Sequence, residues 1–326
     1  MQLPEELIFI IEELVNTVDR KDLYASSEAL SLRYREKASS EQTFIKTYEE
    51  ALAYLCTRFP ATFAANHSVF SEIQKGGLSG EITSILDIGA GSGAAFWAAK
   101  QVLEGLDSYT FLEKDPQLIK IGKTLINALS LSIKTPWILE DYTKTLPSSH
   151  YDLVVISYSL GEVNSELWEN ILTQVFDRFV KLLVILEPGT PVGYKKLMKM
   201  REILIRLGGN ILAPCPHNKA CPIQGSDWCH FSQRLPRTSL HRLVKSGSLG
   251  YEDEKFSYLV ISKNLQPDKG ERVLRQPLLR PGYIEWESCT SSEGLVHRKV
   301  LKRDKENFNK VKKLSWGSFY QDTPTN

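Results

Sequence analysis

The chain has 326 residues, of which 42% are hydrophobic and 24% are charged, and its formal net charge is +1. These proportions are those of an ordinary globular protein, and the length allows one large domain with additions or two domains. No apolar run approaches the about 20 residues that a transmembrane helix needs, so we expect no membrane partner. The acidic start, Met1 to Glu6, lacks the basic residues of a signal or transit peptide, which predicts a cytoplasmic location.

Apolar residues recur at helical spacing in the first part of the chain, where Leu3, Leu7 and Leu14 fall on one helix face. Pro60 is placed to begin a further helix, and Gly76 to end it. We therefore expect residues 1–80 to form an N-terminal helical cap. Cys56 lies on the apolar side of its helix, which is typical of a small buried hydrophobic residue.

A glycine-rich turn lies between a short apolar strand, Ile85–Ile88, and an alanine-rich helix start, Ala94–Ala99. Gly89, Gly91 and Gly93 let the backbone approach a ligand closely because they have no Cβ atom. The helix N-terminus adds free N–H groups and a partial positive charge. The pattern predicts a site for a dinucleotide or for S-adenosylmethionine, although tight packing of a helix on a strand requires the same glycines.

Further apolar runs alternate with helical segments, which predicts an α/β fold with a parallel sheet. Glu113 ends the second run, twenty residues after Gly93, where an acid commonly binds ribose hydroxyls. Asp87 inside the first strand and Asp141 at the end of the third, near the expected adenine, favour S-adenosylmethionine over NAD. The predicted fold is therefore a class I methyltransferase sheet, which is Rossmann-like. Its later strands are Tyr109–Glu113, Pro136–Asp141, Tyr151–Ser157 and Leu182–Glu187.

The loop that follows the fourth strand, Ser157–Glu162, faces the transferred methyl group in methyltransferases of this class, and we assign Ser157 to the cofactor site. The loop carries neither the Asn/Asp-Pro-Pro-aromatic motif of enzymes acting on exocyclic amines nor the Pro-Cys of those acting on cytosine carbon. Glu162 is the candidate for a catalytic base, and a solvated loop glutamate is the alternative. The catalytic residue is therefore unknown from sequence.

A cysteine-rich run at residues 213–232 holds Cys215, Cys221 and Cys229 among prolines and few aliphatic residues. Such a run cannot bury a core of its own, and disulfides are rare in the cytoplasm, which favours a metal site. Zinc usually requires a tight Cys-x2–4-Cys pair, which is absent, although His217 or His230 could supply nitrogen. An iron–sulfur cluster tolerates wider spacing and a distant fourth cysteine, for which Cys289 is the candidate. Spacing alone leaves zinc, iron–sulfur and no metal open.

The residues before Ser262 suit the antiparallel edge strand of a class I methyltransferase sheet, so the methyltransferase-like domain is predicted to span 81–265. Residues 266–326 then form a small module of a β-hairpin, Tyr283–Cys289 with Leu295–Leu301, and a terminal helix. Basic residues and aromatic rings near the end suit RNA, although a solvated tail is the alternative. The basic residues are Arg298, Lys299, Lys302, Arg303, Lys305, Lys310, Lys312 and Lys313.

At these residues the chain resembles the methyltransferase-like assembly factors of the small ribosomal subunit, found in mitochondria and in bacterial relatives. The resemblance extends from about residue 55 to the C-terminus. It is carried by Arg58–Phe63, Leu86–Gly93 with Trp97, Ser157–Glu162, Glu187–Thr190, the cysteine run and Gly250–Tyr258.

The resemblance implies a class I methyltransferase fold that binds ribosomal RNA and carries a four-iron four-sulfur cluster on four cysteines. Those four match Cys215, Cys221, Cys229 and Cys289, so the resemblance favours iron–sulfur over zinc. Cys56 has no counterpart among them. The resemblance also implies a second candidate location, the mitochondrial matrix, as the alternative to the bacterial cytoplasm.

Three functions are compatible with these observations. The first is a monomeric assembly factor that binds the small ribosomal subunit and its RNA through a methyltransferase-like, iron–sulfur-containing scaffold. The second is an active S-adenosylmethionine-dependent methyltransferase of ribosomal RNA. The third is a ribosome-binding protein that senses iron or redox state. The missing catalytic motif after the fourth strand favours the first over the second.

Overall fold

A computed structural model describes residues 2–35, 45–77, 82–129, 131–238 and 250–320. The chain divides into two units, Met1–Val180 with Gln233–Glu254, and Lys181–Ser232 with Lys255–Asn326. The division into parts at residues 80 and 265 stays a prediction, and its first boundary falls outside the described residues.

Helices make up most of the first 77 residues of the first unit. The third begins where the Thr47 side chain accepts a hydrogen bond from the Glu50 N–H, and the fourth has Pro60 in its first turn, which are common ways to begin a helix. Their buried faces carry the periodic apolar residues. The helices are α1 (Glu5–Val15), α2 (Arg20–Arg35), α3 (Tyr48–Thr57) and α4 (Phe59–Lys75).

The first unit contains the parallel strands β1 (Ser84–Ile88), β2 (Ser108–Glu113), β3 (Trp137–Leu139) and β4 (Tyr151–Ser157). They follow the order β3-β2-β1-β4 in the sheet. Strands β1, β2 and β4 carry buried apolar residues on both faces, as expected for a parallel sheet covered by helices. The helices between and after the strands are α5 (Ala94–Val102), α6 (Pro116–Asn127) and α7 (Trp168–Arg178).

Aromatic packing holds β3 against its neighbours. The rings of Phe111 and Trp137 stack with centroids 4.0 Å apart. A Cβ atom at Gly122 of α6 would come within 2.3 Å of the Trp137 ring, so glycine is required there for the helix to approach the ring. This packing holds the edge strand β3 in place beside β2.

The second unit holds most of β5 (Phe179–Pro188), then α8 (Pro191–Arg206) and β6 (Asn210–Ala213), and most of β8 (Tyr251–Ser262). Strand β7 (Phe231–Pro236) belongs mostly to the first unit. Strand β8 runs antiparallel to both β5 and β6 and lies between them. The antiparallel direction is as predicted, but the edge position is wrong, because the short strand β6 pairs with the outer side of β8. Parallel and antiparallel strands in these orders are those of a class I methyltransferase-like α/β fold.

A separate sheet closes the second unit. Two of its strands pair antiparallel from Tyr283 opposite Leu301 to Thr290 opposite Gly294, where the alternating sequence predicts a hairpin. Val273, Ile284, Trp286 and Val311 form its small core. The elements are β9 (Glu271–Val273), β10 (Leu278–Arg280), β11 (Tyr283–Thr290), β12 (Gly294–Leu301), α9 (Lys305–Val311) and β13 (Phe319–Tyr320).

Within the described residues, no helix combines the length and the apolar composition that crossing a bilayer would require.

Candidate cofactor and metal sites

The glycine turn after β1 has a backbone that requires glycine. Gly89, Gly91 and Gly93 have φ angles of 70°, 57° and 89°, a region that side chains with a Cβ atom rarely adopt. At Gly89 an added Cβ atom would also lie 2.5 Å from the Cβ of Ser159. The turn is therefore shaped by its glycines, as the sequence predicts.

A cavity lies beside this turn, and four of the predicted cofactor residues line it: Asp87, Gly89, Gly91 and Ser157. The other three, Gly93, Glu113 and Asp141, are not among the residues that line it. Their assignment to the cofactor stays a prediction.

Three side chains from the N-terminal helices, Tyr54, Phe59 and Thr62, also line the cavity. Sequence reasoning did not assign them to the site, because they lie more than twenty residues before the glycine turn in the chain. The block Arg58–Phe63, which carries part of the family resemblance, was the available signal. The cavity wall therefore includes side chains of α3 and α4.

Ser92 places a hydroxyl group at the wall that is unpaired in the part of the chain that the structure describes. Its side chain is buried, and its Oγ atom has no hydrogen-bond partner among the described residues. Buried hydroxyl groups are normally paired. An unpaired one at a cavity wall suits the polar end of a ligand, and the sequence indicated it only as a member of the glycine motif.

Asp87 is buried in β1 and accepts a hydrogen bond of 2.9 Å from the hydroxyl of Tyr109. Burial raises the pKa of Asp87 to about 7, while the hydrogen bond from Tyr109 acts in the opposite direction. The carboxyl group therefore changes protonation near neutral pH, at the wall of the cavity.

Glu113 holds the glycine turn through its carboxylate. The carboxylate accepts hydrogen bonds from the N–H groups of Gly91 at 2.8 Å, and of Lys114 and Asp115 at 2.9 Å each. Burial raises the pKa of Glu113, and these hydrogen bonds oppose the rise. The side chain thus joins the end of β2 to the turn after β1. This structural role is separate from the predicted contact of Glu113 with ribose.

Asp141 and Ser157 are also engaged locally. Asp141 accepts hydrogen bonds from the N–H and hydroxyl of Thr143; burial alone would raise the pKa of Asp141, but these bonds outweigh it and lower the pKa. The Ser157 hydroxyl donates to Asn66 Oδ1 at 2.9 Å, which joins β4 to α4. Glu162 ends the short 3-10 turn Leu160–Glu162, and its catalytic role stays a prediction.

The loop after β4 contains a strained residue that sequence reasoning did not single out. Tyr158 has a φ angle of 58°, which costs energy for a residue with a Cβ atom. Its hydroxyl donates to Glu254 Oε1 at 3.0 Å, and Arg58 lies 3.7 Å from the same carboxylate. These contacts stabilise the loop where an acceptor would bind in a methyltransferase.

In the second unit, the four predicted cysteines line one cavity. Cys215 follows β6, Cys221 and Cys229 lie in the segment before β7, and Cys289 lies in β11. All four are free thiols. The structure thus brings together Cys289 and three cysteines that lie more than fifty residues earlier in the chain.

Polar side chains contact these thiols. The Tyr194 hydroxyl lies 3.1 Å from Cys221 Sγ, and His217 Nε2 lies 3.5 Å from Cys289 Sγ. His230, the other candidate nitrogen ligand, instead stacks its ring on Trp228 with centroids 4.9 Å apart.

Burial raises the pKa of three of the four thiols, those of Cys215, Cys229 and Cys289. Burial raises the pKa of Cys289 to about 12 and raises that of Cys229 well above its usual range, and the neighbouring thiols add to both effects. Burial also raises the pKa of Cys215, against the opposing effect of the Arg201 guanidinium. Since thiolates are the form that binds metal, loading this site must release protons.

The described residues include no group of three or more His, Cys, Asp or Glu side chains placed around a single metal ion. Tetrahedral zinc would require sulfur atoms roughly 3.8 Å apart, given zinc–sulfur distances near 2.3 Å. A four-iron cluster is larger, and each of its four thiolates binds a different iron. Four thiols at one cavity are donors that suit either group, so the choice between zinc and an iron–sulfur cluster stays a prediction.

The sequence profile of the family described as "Mitochondrial small ribosomal subunit Rsm22" matches residues 48–321, which is most of the chain. The chain belongs to the Rsm22 family. The family resemblance inferred from the sequence is thereby confirmed.

Two relatives illustrate the similarity to Rsm22 proteins. "Ribosome assembly protein METTL17, mitochondrial" of Homo sapiens is 26% identical over 287 residues, which cover 82% of this chain and 61% of that protein. "Rsm22-cox11 tandem protein 2, mitochondrial" of Schizosaccharomyces pombe is 26% identical over 363 residues, covering 95% of this chain and 48% of that protein. The chain thus spans about half to three fifths of the length of these relatives.

Solved methyltransferase structures are similar at low identity. Magnesium protoporphyrin IX methyltransferase of Synechocystis, with bound SAM, is 12% identical with a TM-score of 0.42, covering 76% of this chain and 98% of that one. N-methyltransferase NodS of Bradyrhizobium japonicum is 11% identical with a TM-score of 0.42, covering 75% and 100%. At these TM-scores the likeness adds nothing to the strand order described above.

Proposed function

We propose that this Rsm22-family chain is an assembly factor of the small ribosomal subunit that binds ribosomal RNA as a monomer. The observation that carries the proposal is the family match over residues 48–321. The human relative is a ribosome assembly protein by name, which supports the same function. Both named relatives are described as mitochondrial, which supports the mitochondrial matrix for this chain; the bacterial cytoplasm stays a prediction.

Two bound groups belong to this proposal. S-adenosylmethionine would occupy the cavity at the glycine turn, supported by the unpaired Ser92 hydroxyl and the buried Asp87 carboxyl. A four-iron four-sulfur cluster would be held by Cys215, Cys221, Cys229 and Cys289, supported by the cavity that all four thiols line. When bound, the cluster would supply iron–thiolate bonds that join β11 to the cysteine run.

The proposed RNA contact lies on the β12–α9 surface of the second unit. Cationic side chains are exposed there, whereas Trp316 and Tyr320 are half-buried, with Trp316 Nε1 donating to His230 O at 2.8 Å. The charges are therefore available to phosphates, and these two aromatic rings serve the packing of the module. Arg298 is half-buried and pairs with Glu271, and Lys310 pairs with Glu306. The remaining exposed cations are Lys299, Lys302, Arg303, Lys305, Lys312 and Lys313.

Binding to small-subunit particles from cells that lack the protein tests this function. If about four cations meet phosphates, the logarithm of affinity should fall with the logarithm of salt concentration with a slope near −3. Glutamine at Lys302, Arg303, Lys312 and Lys313 together should flatten that slope. Removing the whole C-terminal segment would be uninformative, since Val311 is buried and β13 pairs with β9.

Glutamine at four exposed lysines of the first unit, Lys75, Lys123, Lys134 and Lys144, provides the matched control. This variant should keep the wild-type slope. Absence of binding by the wild-type chain at low salt would contradict the proposed function, and equal slopes for all three proteins would place the RNA contact elsewhere.

A second candidate function is methyl transfer to ribosomal RNA, and the cavity at the glycine turn favours it. Glu113→Ala should weaken S-adenosylmethionine binding by roughly 1.5–3 kcal/mol, because a charged acceptor is lost and the Gly91 N–H loses its partner. Titration calorimetry measures this effect. Glu166→Ala, at an exposed turn, should bind as the wild type does. No heat of binding with the wild-type chain would remove both the cofactor and this second function.

A further inference from the structure

Two arginine side chains are buried in the second unit. Arg201 of α8 and Arg272 of β9 are 3% and 4% exposed. A buried charge is unfavourable unless an opposite charge or a full set of hydrogen bonds accompanies it. The surroundings of the two guanidinium groups therefore indicate what each of them neutralises.

Arg201 has only neutral partners. Its terminal nitrogen donates to the carbonyl oxygens of His217 at 2.9 Å and Lys219 at 2.8 Å, and its guanidinium also hydrogen-bonds to Cys215. Its Nε atom is buried without a partner. No carboxylate of the described residues forms an ion pair with it, so that part of the chain does not neutralise its positive charge.

Arg272 lines the cavity that holds the four thiols. Its Nε atom donates to the carbonyl oxygen of Pro214 at 3.1 Å, next to Cys215, and a terminal nitrogen donates to Gly317 O at 2.7 Å. Two cations thus lie at the thiol cavity, Arg201 through its hydrogen bond to Cys215 and Arg272 in the lining of the cavity.

We propose that Arg201 and Arg272 are the counter-charges of an anionic metal–thiolate group held by Cys215, Cys221, Cys229 and Cys289. The inference rests on the cluster of the proposed function. Four thiolates make an iron–sulfur cluster a net anion, and its negative charge grows by one on reduction. Cations and hydrogen-bond donors close to the sulfurs therefore favour the reduced form, and Tyr194 adds a hydroxyl beside Cys221.

Substitutions that separate charge from hydrogen bonding test the proposal. Arg201→Gln keeps a donor for the carbonyl groups but removes the charge, whereas Arg201→Lys keeps the charge with a different shape; the same pair applies to Arg272. On the whole chain, loaded anaerobically, an optical redox titration should show the glutamine variants at least tenfold harder to reduce. That shift is about 59 mV for one electron. The lysine variants should stay within about half of it.

Iron content gives a second measurement for variants that load poorly. A counter-charge role predicts that lysine restores iron binding and glutamine does not, whereas a purely structural role predicts that both variants lose iron alike. Arg234→Gln, at an exposed side chain paired with Asp253, should leave both iron content and potential unchanged.

Two results would overturn the inference: equal shifts for lysine and glutamine variants, or a glutamine variant with wild-type iron and wild-type potential. A wild-type protein that loads no iron would instead overturn the cluster itself, and the two failures are therefore distinguishable. If zinc is bound, competition with a chelator replaces the redox titration. The glutamine variants should then bind zinc at least tenfold more weakly than the lysine variants.

Discussion

Replacement of Cys289 by serine is expected to lower the iron content from about four per chain to near zero. Cys289 lies in β11, whereas the other three thiols lie in the segment between β6 and β7, so its loss removes the ligand that joins these two parts of the site. A site formed only in the folded chain contributes its binding energy to folding. The variant should therefore also unfold more readily, with the loss confined to the second unit.

Anaerobic purification followed by iron analysis and an absorbance spectrum measures the effect, since a loaded cluster makes the protein brown. Cys56→Ala is the matched control, because Cys56 is buried in α3, and burial raises its pKa to about 12. That variant should keep its iron. A colourless wild-type protein with one zinc per chain would contradict the cluster while leaving a metal cross-link in place.

The Cys289→Ser variant also separates the candidate functions. Binding to the small subunit should be lost together with iron, since β12 and α9, which carry the exposed cations, adjoin β11 in the C-terminal sheet. Binding of S-adenosylmethionine should persist, because the glycine turn belongs to the other unit. Subunit binding that falls in proportion to cluster loading would favour the iron- or redox-sensing function. Full binding without iron would exclude it.

The difference in stability between Asp87→Asn and the wild type is expected to change in favour of the variant as pH rises. The folded-state pKa of Asp87 is about 7, against 3.8 for an ordinary aspartate, so the folded state holds a proton that the unfolded state releases. Between these values wild-type stability falls as pH rises, and the loss is complete above pH 7. From pH 5 to pH 8.5 the variant should gain about 3 kcal/mol over the wild type, at 1.36 kcal/mol per unit.

Urea unfolding of the ligand-free protein at several pH values measures this difference. Tyr109→Phe provides an independent check, because the Tyr109 hydroxyl lowers the pKa of Asp87. Without that hydroxyl the pH range of falling stability should extend further upward. Parallel stability curves for the wild type and Asp87→Asn would show that Asp87 is ionised in the folded protein and contradict the prediction.

Local pattern was sufficient for strands β1 to β5 of the sheet and for the glycine turn. Ile85–Ile88 and Tyr151–Ser157 are apolar runs of strand length, and the positive φ angles at Gly89, Gly91 and Gly93 are of the kind that glycine alone adopts without strain. The cysteine run was equally visible, since three thiols lie close together in sequence. Cys289 was included on its thiol chemistry and on the family resemblance.

Contacts between distant parts of the chain decided the rest. The position of β8 between β5 and β6 depends on pairing with the short strand Asn210–Ala213, whose four residues carry too little pattern to predict. The contact of Tyr54 and Thr62 with the cavity depends on how α3 and α4 pack, and the backbone hydrogen bonds of Glu113 depend on the fold of the turn. In the sequence, Arg201 is one of several basic residues in a helix. Only packing shows that it is buried beside the thiols, because burial and partnership are properties of the folded chain.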